Sequence, residues 1–435
     1  MSGNSLSDIM DVLSHIMKGS VDLLGRRQTH ITDLDEHSFH HILQYLSLFD
    51  VFLCRKVNKY FLRQIDAYLE NCRQMTYNCK LNGDHFFNGE HVFNGRAFDS
   101  VVARMPNIRV MRFKRCPKMR SSLATTNYNI VSSLTNHLIM LNELHLTRCR
   151  SLDTKSLKLL VEWFPNLTHL TLSVYNETSV EIIAKGFANL KYFSLEDSVL
   201  EDYGNHLQHL GLKIHTFVAA VDHNNHKNSL ITGLLNGNGR YLRALDMRIK
   251  VFDSDYTLFN TMGTEFNDLL SLKLVFQSKR TVDDNQMLSG LSGLSSLTHL
   301  HLEENRIYSN FQSVFEDNSM LSIMRNCRQL ESLSLISGGK HAQTSSDDNN
   351  TATNFRSLTD ASLSMIDQLL PNIRHLSLKS IDITDRTLSS IERLYKLKSL
   401  RLDSLAGLTF DGLQEFMTNA TQINRLEVIN CLNHK

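Results

Sequence analysis

Proline is scarce in this sequence, with four in 435 residues, and tryptophan occurs once. Disordered, linker-rich chains are enriched in proline and short of apolar residues, whereas 42% of this chain is hydrophobic. Charge of one sign is also missing. Lys and Arg total 46 against 45 Asp and Glu, so no global field favours nucleic acid or an anionic lipid surface. Cysteine is present without a framework: the seven, at 54, 72, 79, 116, 149, 327 and 431, are odd in number and form no C-x-x-C. Met1 to Asp11 holds no basic residue and no long apolar run, so the parts of a secretory signal are absent. No stretch approaches the roughly 18 apolar residues that span a bilayer. The expectation is a reduced intracellular protein, cytoplasmic or nuclear, with no membrane span. Its sequons at Asn166, Asn176 and Asn419 should then stay unglycosylated.

Signatures of catalysis are missing as well. Gly290-Leu291-Ser292-Gly293 lacks the closing glycine of a nucleophile elbow. Gly339-Lys340 is followed by His341, and Ser334 stands where a P-loop needs its first glycine. His223 and His226 have helical ligand spacing but no glutamate between them and no third ligand. His301-Leu302-Glu303 is followed by no P-C-x-x-C, so a zinc deaminase is excluded. No catalytic residue, metal or cofactor is expected.

What is present is a leucine pattern, L-x-x-L-x-L. It reads Leu141-x-x-Leu144-x-Leu146, Leu167-x-x-Leu170-x-Leu172, Leu297-x-x-Leu300-x-Leu302 and Leu397-x-x-Leu400-x-Leu402, among others. Its first position recurs at Ile108, Leu141, Leu167, Leu190, Leu242, Leu269, Leu297, Leu330, Ile373, Leu397 and Ile423. A fixed pattern at such a period marks a solenoid. The interval of 52 after Leu190 is twice 26 and predicts a degenerate repeat near Leu212 to Val221. The interval of 43 after Leu330 contains a Ser/Asp/Asn/Thr-rich run, which predicts a flexible loop at 338–356.

The L-x-L alternation puts two apolar side chains on one side of a short strand. Helical periodicity fills the intervals: Leu157, Leu160, Val161 and Phe164 stand at i, i+3, i+4 and i+7, and Asp360 to Leu370 behaves similarly. Pro165-Asn166 and Pro371-Asn372 end those helices. One strand-turn-helix unit cannot bury its own apolar edge, so neighbours must stack. Thin strands and wide helices bend such a stack into an α/β horseshoe, with a parallel inner sheet and outer helices. Twelve strands would span roughly 50–60 Å.

Four zones can be told apart along the chain. Residues 1–29 hold an amphipathic stretch (Leu6, Ile9, Met10, Leu13, Ile16, Met17), either a partner or membrane-surface helix or a short helix packed on the next segment. Residues 30–70 break into two or three short helices. Residues 71–105, with turn signals at Asn82-Gly83, Asn88-Gly89 and Asn94-Gly95, read as an irregular capping repeat whose strand is Met75 to Lys80. The repeat array occupies 106–435.

Strand, cysteine, then Thr/Ser-Asp and a helix resembles the cysteine-containing leucine-rich repeats. The residues are Leu144-His145-Leu146-Thr147-Arg148-Cys149 with Leu152-Asp153, Phe113-Lys114-Arg115-Cys116, Leu358-Thr359-Asp360 and Ile383-Thr384-Asp385. Cys116, Cys149 and Cys431 occupy this turn as small buried hydrophobes. Ahead of the array, Leu34-Asp35-Glu36 continues through Ile42-Leu43, Leu46, Asp50, Leu53, Val57, Tyr60 and Phe61. This resembles an F-box, with one departure: Asp35 stands where that family favours a proline that fixes the approach to the first helix.

The resemblance implies a leucine-rich-repeat solenoid behind a small helical F-box-like domain, acting as substrate receptor of an SCF-type ubiquitin ligase. Its partners would be a Skp adaptor, a cullin and a protein substrate. Leu34, Glu36, Ile42, Leu43, Leu46, Leu53 and Val57 would meet the adaptor, although some of them pack internally. Substrate would meet the strand positions flanking the central leucines: Arg112, Lys114, Glu143, His145, His169, Tyr192, Asp246, Arg248, His299, His301, His375, Lys379, Arg401 and Asp403. Thr171, Ser194, Ser332, Ser334, Arg425 and Glu427 share that face, which is polar, mixed in sign and short of aromatics. Such a face favours protein over RNA or lipid, and its histidines could make binding pH-sensitive. Two other readings stand beside it. One is a leucine-rich scaffold or inhibitor that binds a partner without ubiquitin transfer. The other is a GTPase activator, which would need a catalytic arginine or asparagine that no loop here identifies.

Overall fold

The computed structural model describes residues 34–46, 48–78, 85–87, 90–92, 95–114, 130–147, 152–172, 177–195, 214–221, 233, 239–251, 256–278, 287–306, 315–337 and 358–431. The amphipathic stretch at 1–29, the loop at 338–356, Cys116 and Cys149 lie outside the described residues. The chain divides into two units, Met1–Ser173 and Val174–Lys435.

The first unit opens with three helices: α1 (Glu36–Leu43), α2 (Leu48–Cys54) and α3 (Lys59–Asn71). Asp35 starts α1 because its carboxylate accepts the otherwise orphaned Ser38 N–H at 2.9 Å and the Ser38 hydroxyl at 2.8 Å. Glu36 in the first turn sets a negative charge at the positive end of the helix dipole. Asn58 caps α3 in the same way, accepting from Phe61 N at 2.9 Å. Inside lie Phe39, Leu43, Val51, Cys54, Phe61, Ile65 and Leu69, all buried. Phe39 meets the Phe61 ring edge-on at 5.2 Å and the Tyr60 ring at 5.8 Å. Polar ties fix the helices further. Arg55 forks onto Asp66 at 2.8 and 3.1 Å, and Tyr60 donates to the Leu34 carbonyl at 3.0 Å.

The sheet of this unit comes next in the chain. Strand β1 (Gln74–Asn78) pairs in parallel with β4 (Val110–Lys114), across an excursion that includes the antiparallel pair β2 (His85–Phe87) and β3 (Glu90–Val92). Tyr77, Phe98 and Phe113 cluster beneath it, with ring centroids 5.2 to 6.0 Å apart. β5 (Glu143–Thr147) and β6 (His169–Leu172) extend the order to β1-β4-β5-β6, all parallel. Helix Thr154–Trp163 connects these last two, capped by Asp153, which accepts from Ser156 N at 2.8 Å.

The second unit is an α/β leucine-rich-repeat solenoid. Its strands are β7 (Tyr192–Leu195), β8 (Thr216–Val221), β9 (Ala244–Val251), β10 (Ser271–Ser278), β11 (His299–Arg306), β12 (Ser332–Ser337), β13 (His375–Lys379), β14 (Ser399–Asp403) and β15 (Arg425–Ile429). They pair in parallel in chain order. β8 fills the 52-residue interval, with Phe217 and Ala219 in the two inward slots that leucines take elsewhere. The leucines form continuous rows: Leu272, Leu300, Leu333, Leu376, Leu400 and Leu426 are successive partners. Burying each side chain contributes about 1.5–3 kcal/mol, which is what holds one register along the whole ladder.

On the helical side the solenoid is closed in two ways. Helix Tyr256–Glu265 lies against the 3-10 helix Met287–Gly293, and glycines occupy the seam. A Cβ on Gly263 would sit 1.9 Å from the Gly290 carbonyl oxygen, and one on Gly293 would sit 2.2 Å from that of Gly263. Nearer the C-terminus, carboxylates replace glycines. Asp317 accepts from Thr359 N at 3.0 Å, Thr359 Oγ1 at 2.6 Å and Ser362 Oγ at 2.5 Å. Asp360 repeats this with Thr384 N, Thr384 Oγ1 and Thr387 Oγ1 at 3.0, 2.6 and 2.5 Å. Asp385 takes Thr409 N and Oγ1 at 3.0 and 2.6 Å, and Gly412 leaves room for its carboxylate. Each threonine also caps its own helix.

After β13, β14 and β15 the chain turns through the left-handed region at Ser380, Ser404 and Asn430 (φ 52°, 56° and 53°). The next residue plugs the interior: Ile381, Leu405 and Cys431 are equivalent and buried. Cys431 therefore serves as a small hydrophobe, its Sγ 3.3 Å from the Ile429 carbonyl oxygen.

Candidate docking surfaces

On the three-helix segment, Phe39 and Leu43 sit one turn apart and both face inward. Leu43 is 2% exposed. Its side chain packs in the helical core, as the sequence reading allowed for some of these residues. Glu36 is exposed, and Leu34, Ile42, Leu46 and Val57 are half-buried. The side chain of Leu53 lies outside the described residues. Two residues absent from the sequence reading stand out: Tyr45 is 74% exposed and Leu62 is also exposed. Ile42, Tyr45 and Leu46 stand at i, i+3 and i+4, so one side of α1 and its last turn carries an accessible apolar strip. The three-residue spacing from Ile42 to Tyr45 was the available signal.

The strand face divides into local charge clusters. In the first unit Glu143 lies 3.9 Å from Arg112 Nη2, 3.8 Å from His145 Nε2 and 3.7 Å from His169 Nδ1. His145 Nδ1 and Thr171 Oγ1 share a hydrogen bond of 2.9 Å. Burial, helped by the Arg112 guanidinium, pushes the His145 imidazole below its ordinary value against the pull of Glu143. It is therefore neutral at neutral pH. The side chain of Lys114 lies outside the described residues.

In the second unit Tyr192 is half-buried on β7, and Arg248 and His299 are exposed. Asp246 pairs with Lys273 at 3.0 Å, and His301 Nε2 lies 3.3 Å from Glu303. His375, Lys379, Arg401 and Asp403 come together with residues of β15. Asp403 holds Lys379 at 3.2 Å and Arg401 at 3.6 Å, while Glu427 takes Arg401 Nη1 at 3.2 Å. Asp403 itself is buried. It lies beneath two cations, Lys379 and Arg401. Burial, which alone would raise its pKa, is outweighed by hydrogen bonds from Ser404 and Lys379, and its carboxyl stays below the usual range. Ser377 and Ser399 also lie on this face, in register with Arg401 and Arg425. The sequence reading passed over them because it named only two flanking positions per strand.

Among the described residues no group of three or more His, Cys, Asp or Glu side chains could hold a metal, and no helix is long and apolar enough to cross a membrane. Residues 31–69 match the F-box domain family. No curated protein matches the sequence. Among solved structures the chain is similar to an internalin from Listeria monocytogenes. That match has a TM-score of 0.41 and 14% identity, and covers 88% of each chain. It is also similar to TLR13 from a complex with ssRNA13, with a TM-score of 0.43 and 13% identity, over 86% of this chain and 52% of that one.

Proposed function

We propose that this chain is a non-catalytic substrate receptor. Its F-box helices dock a Skp adaptor, which joins it to the cullin and RING subunits of an SCF-type ubiquitin ligase, and its repeat strand face holds a protein substrate. The observation that carries this is the F-box match at 31–69 in the same chain as leucine-rich-repeat strands whose outward positions are charged and polar. The accessible strip Leu34, Ile42, Tyr45 and Leu46, with Glu36 at the helix start, supplies the adaptor contact; Leu53 and Val57 complete it. Arg112, Lys114, Glu143, His145, His169, Tyr192, Asp246, Arg248, His299, His301, His375, Lys379 and Arg401 supply the substrate contact. Ubiquitin transfer then gains rate from proximity alone, because a tethered substrate meets the loaded enzyme at high effective concentration.

Asp35 supports the adaptor reading. Its φ of −65° is one a proline would also adopt, and the carboxylate adds a cap. The packing of Cys431 supports assigning the repeats to the cysteine-containing type, and such a receptor works in the cytoplasm or nucleus.

Affinity purification from cells tests the reading. Wild type is expected to recover the Skp adaptor and a cullin, and a Leu34/Ile42/Tyr45→Ala variant to lose at least about tenfold of both, as removal of a buried apolar anchor cluster does. If wild type recovers neither, or the variant recovers both equally, the chain is not an SCF receptor.

A further inference from the structure

A hollow of about 220 Å³ opens on the outward face of β12 to β15. Its origin is visible in the strand register. One row across the sheet runs Lys273, His301, Ser334, Ser377, Arg401 and Glu427. Long side chains stand at both ends and two serines stand in the middle, so the face is indented there. The adjacent row adds Ser332, His375, Ser399 and Arg425, with the histidine between the two serines. Buried Leu333 and Leu376 form the base.

The wall of this hollow is a pair of guanidiniums held side by side. Glu427 Oε1 accepts from Arg425 Nε at 2.8 Å and Nη2 at 2.5 Å, while Oε2 accepts from Arg401 Nη1 at 3.2 Å. One carboxylate thus sets two like charges next to each other and fixes their planes. The neighbouring pair, Lys379 on Asp403, is already balanced. Three cations against two anions leave an excess of one positive charge. Each guanidinium carries five N–H donors, and Glu427 and Asp403 engage only some of them. Serine hydroxyls line the other side. Small hydroxyl donors facing a preset pair of arginines, with net positive charge, form a receptor for an oxyanion.

We infer that this hollow takes an oxyanion carried on an extended segment of the substrate, either a carboxylate side chain or a phosphate ester. This rests on the reading of the strand face as the substrate surface and specifies its chemistry. Because the site is open to solvent, the preference weakens as salt rises.

Three degenerate peptide libraries test it against the purified full-length chain. They are identical except for a central phosphoserine, glutamate or serine. Phosphoserine, or phosphoserine and glutamate together, is expected to be retained at least about tenfold over serine, as charge-assisted hydrogen bonds require. Retention of the first alone assigns a phosphate; equal retention of both assigns any carboxylate-sized anion. Equal retention of all three overturns the inference. Arg425→Gln removes one wall from a side chain that is 74% exposed, and Ser377→Phe fills the hollow while keeping every charge. Both are expected to abolish the preference, and a preference that survives Arg425→Gln overturns the inference. Adaptor binding, measured on the same preparations, should be unchanged in both variants. Its absence from wild type would defeat the ligase reading without touching the peptide result.

Discussion

From β9 to β11 the helical side of the solenoid is held backbone to backbone, through Gly263, Gly290 and Gly293. From β11 to β15 it is held by Asp317, Asp360 and Asp385, each reaching forward to the threonine that caps the next helix. The strand register is the same in both stretches. The leucine rows therefore decide pairing, and the far side is free to close by any means that satisfies its helix ends. The two means differ in kind. A glycine seam works by absence of atoms and does not titrate. A carboxylate staple works by hydrogen bonds, and its strength depends on how many donors remain and on pH.

Changes to the seam should be the most damaging. Gly263→Ala forces a methyl group into the Gly290 carbonyl, and overpacking of that kind costs about 1–3 kcal/mol or more. Chemical denaturation of the full chain should show the loss; a variant as stable as wild type would mean that the seam is loose. Asp360→Ala should cost less, about 1–2 kcal/mol, because it strands the Thr384 N–H and the buried Thr387 hydroxyl in a partly solvated site. Asp317→Ala should behave alike.

Acid should separate the two stretches more finely. Burial pushes the Asp360 carboxyl up, but hydrogen bonds from Thr384 and Thr387 outweigh it and leave the folded pKa below the ordinary value. A depressed carboxylate contributes stability that is complete above its unfolded pKa, about 3.9, and is lost as pH falls through the folded value. Amide exchange around Thr384 should therefore accelerate in wild type as pH drops below about 4, beyond the intrinsic trend, and Asp360→Asn should remove that dependence. The Gly263 seam should show none. The smallest effect is at Asp35, which is exposed. Asp35→Ala should fray the first turn of α1, read as faster exchange at Ser38, whereas Asp35→Pro, which keeps φ near −65°, should leave α3 unaffected.

Much of this architecture is legible in the sequence, since leucine spacing reports burial directly. The 52-residue interval marks the place of β8, and the Thr-Asp pairs at 359–360 and 384–385 are visible as helix starts. Their second task was not visible, because a cap and an inter-repeat staple use the same residues. Gly290 and Gly293 look in sequence like a failed catalytic elbow, and only the approach of two helices explains them. Leu43 and Asp403 illustrate the limit at the docking surfaces: residue type and alternation cannot say that one is turned inward and the other lies beneath its own partners. The serines of the hollow escape notice for a related reason. A gap is made by what two neighbouring strands both lack.

Hydrogen exchange of the full chain, with and without purified Skp adaptor, tests the division of labour most directly. Protection is predicted to be confined to residues 34–57, with strands β12 to β15 unchanged. Protection of those strands by the adaptor, or none in the helices at saturating adaptor, would contradict it.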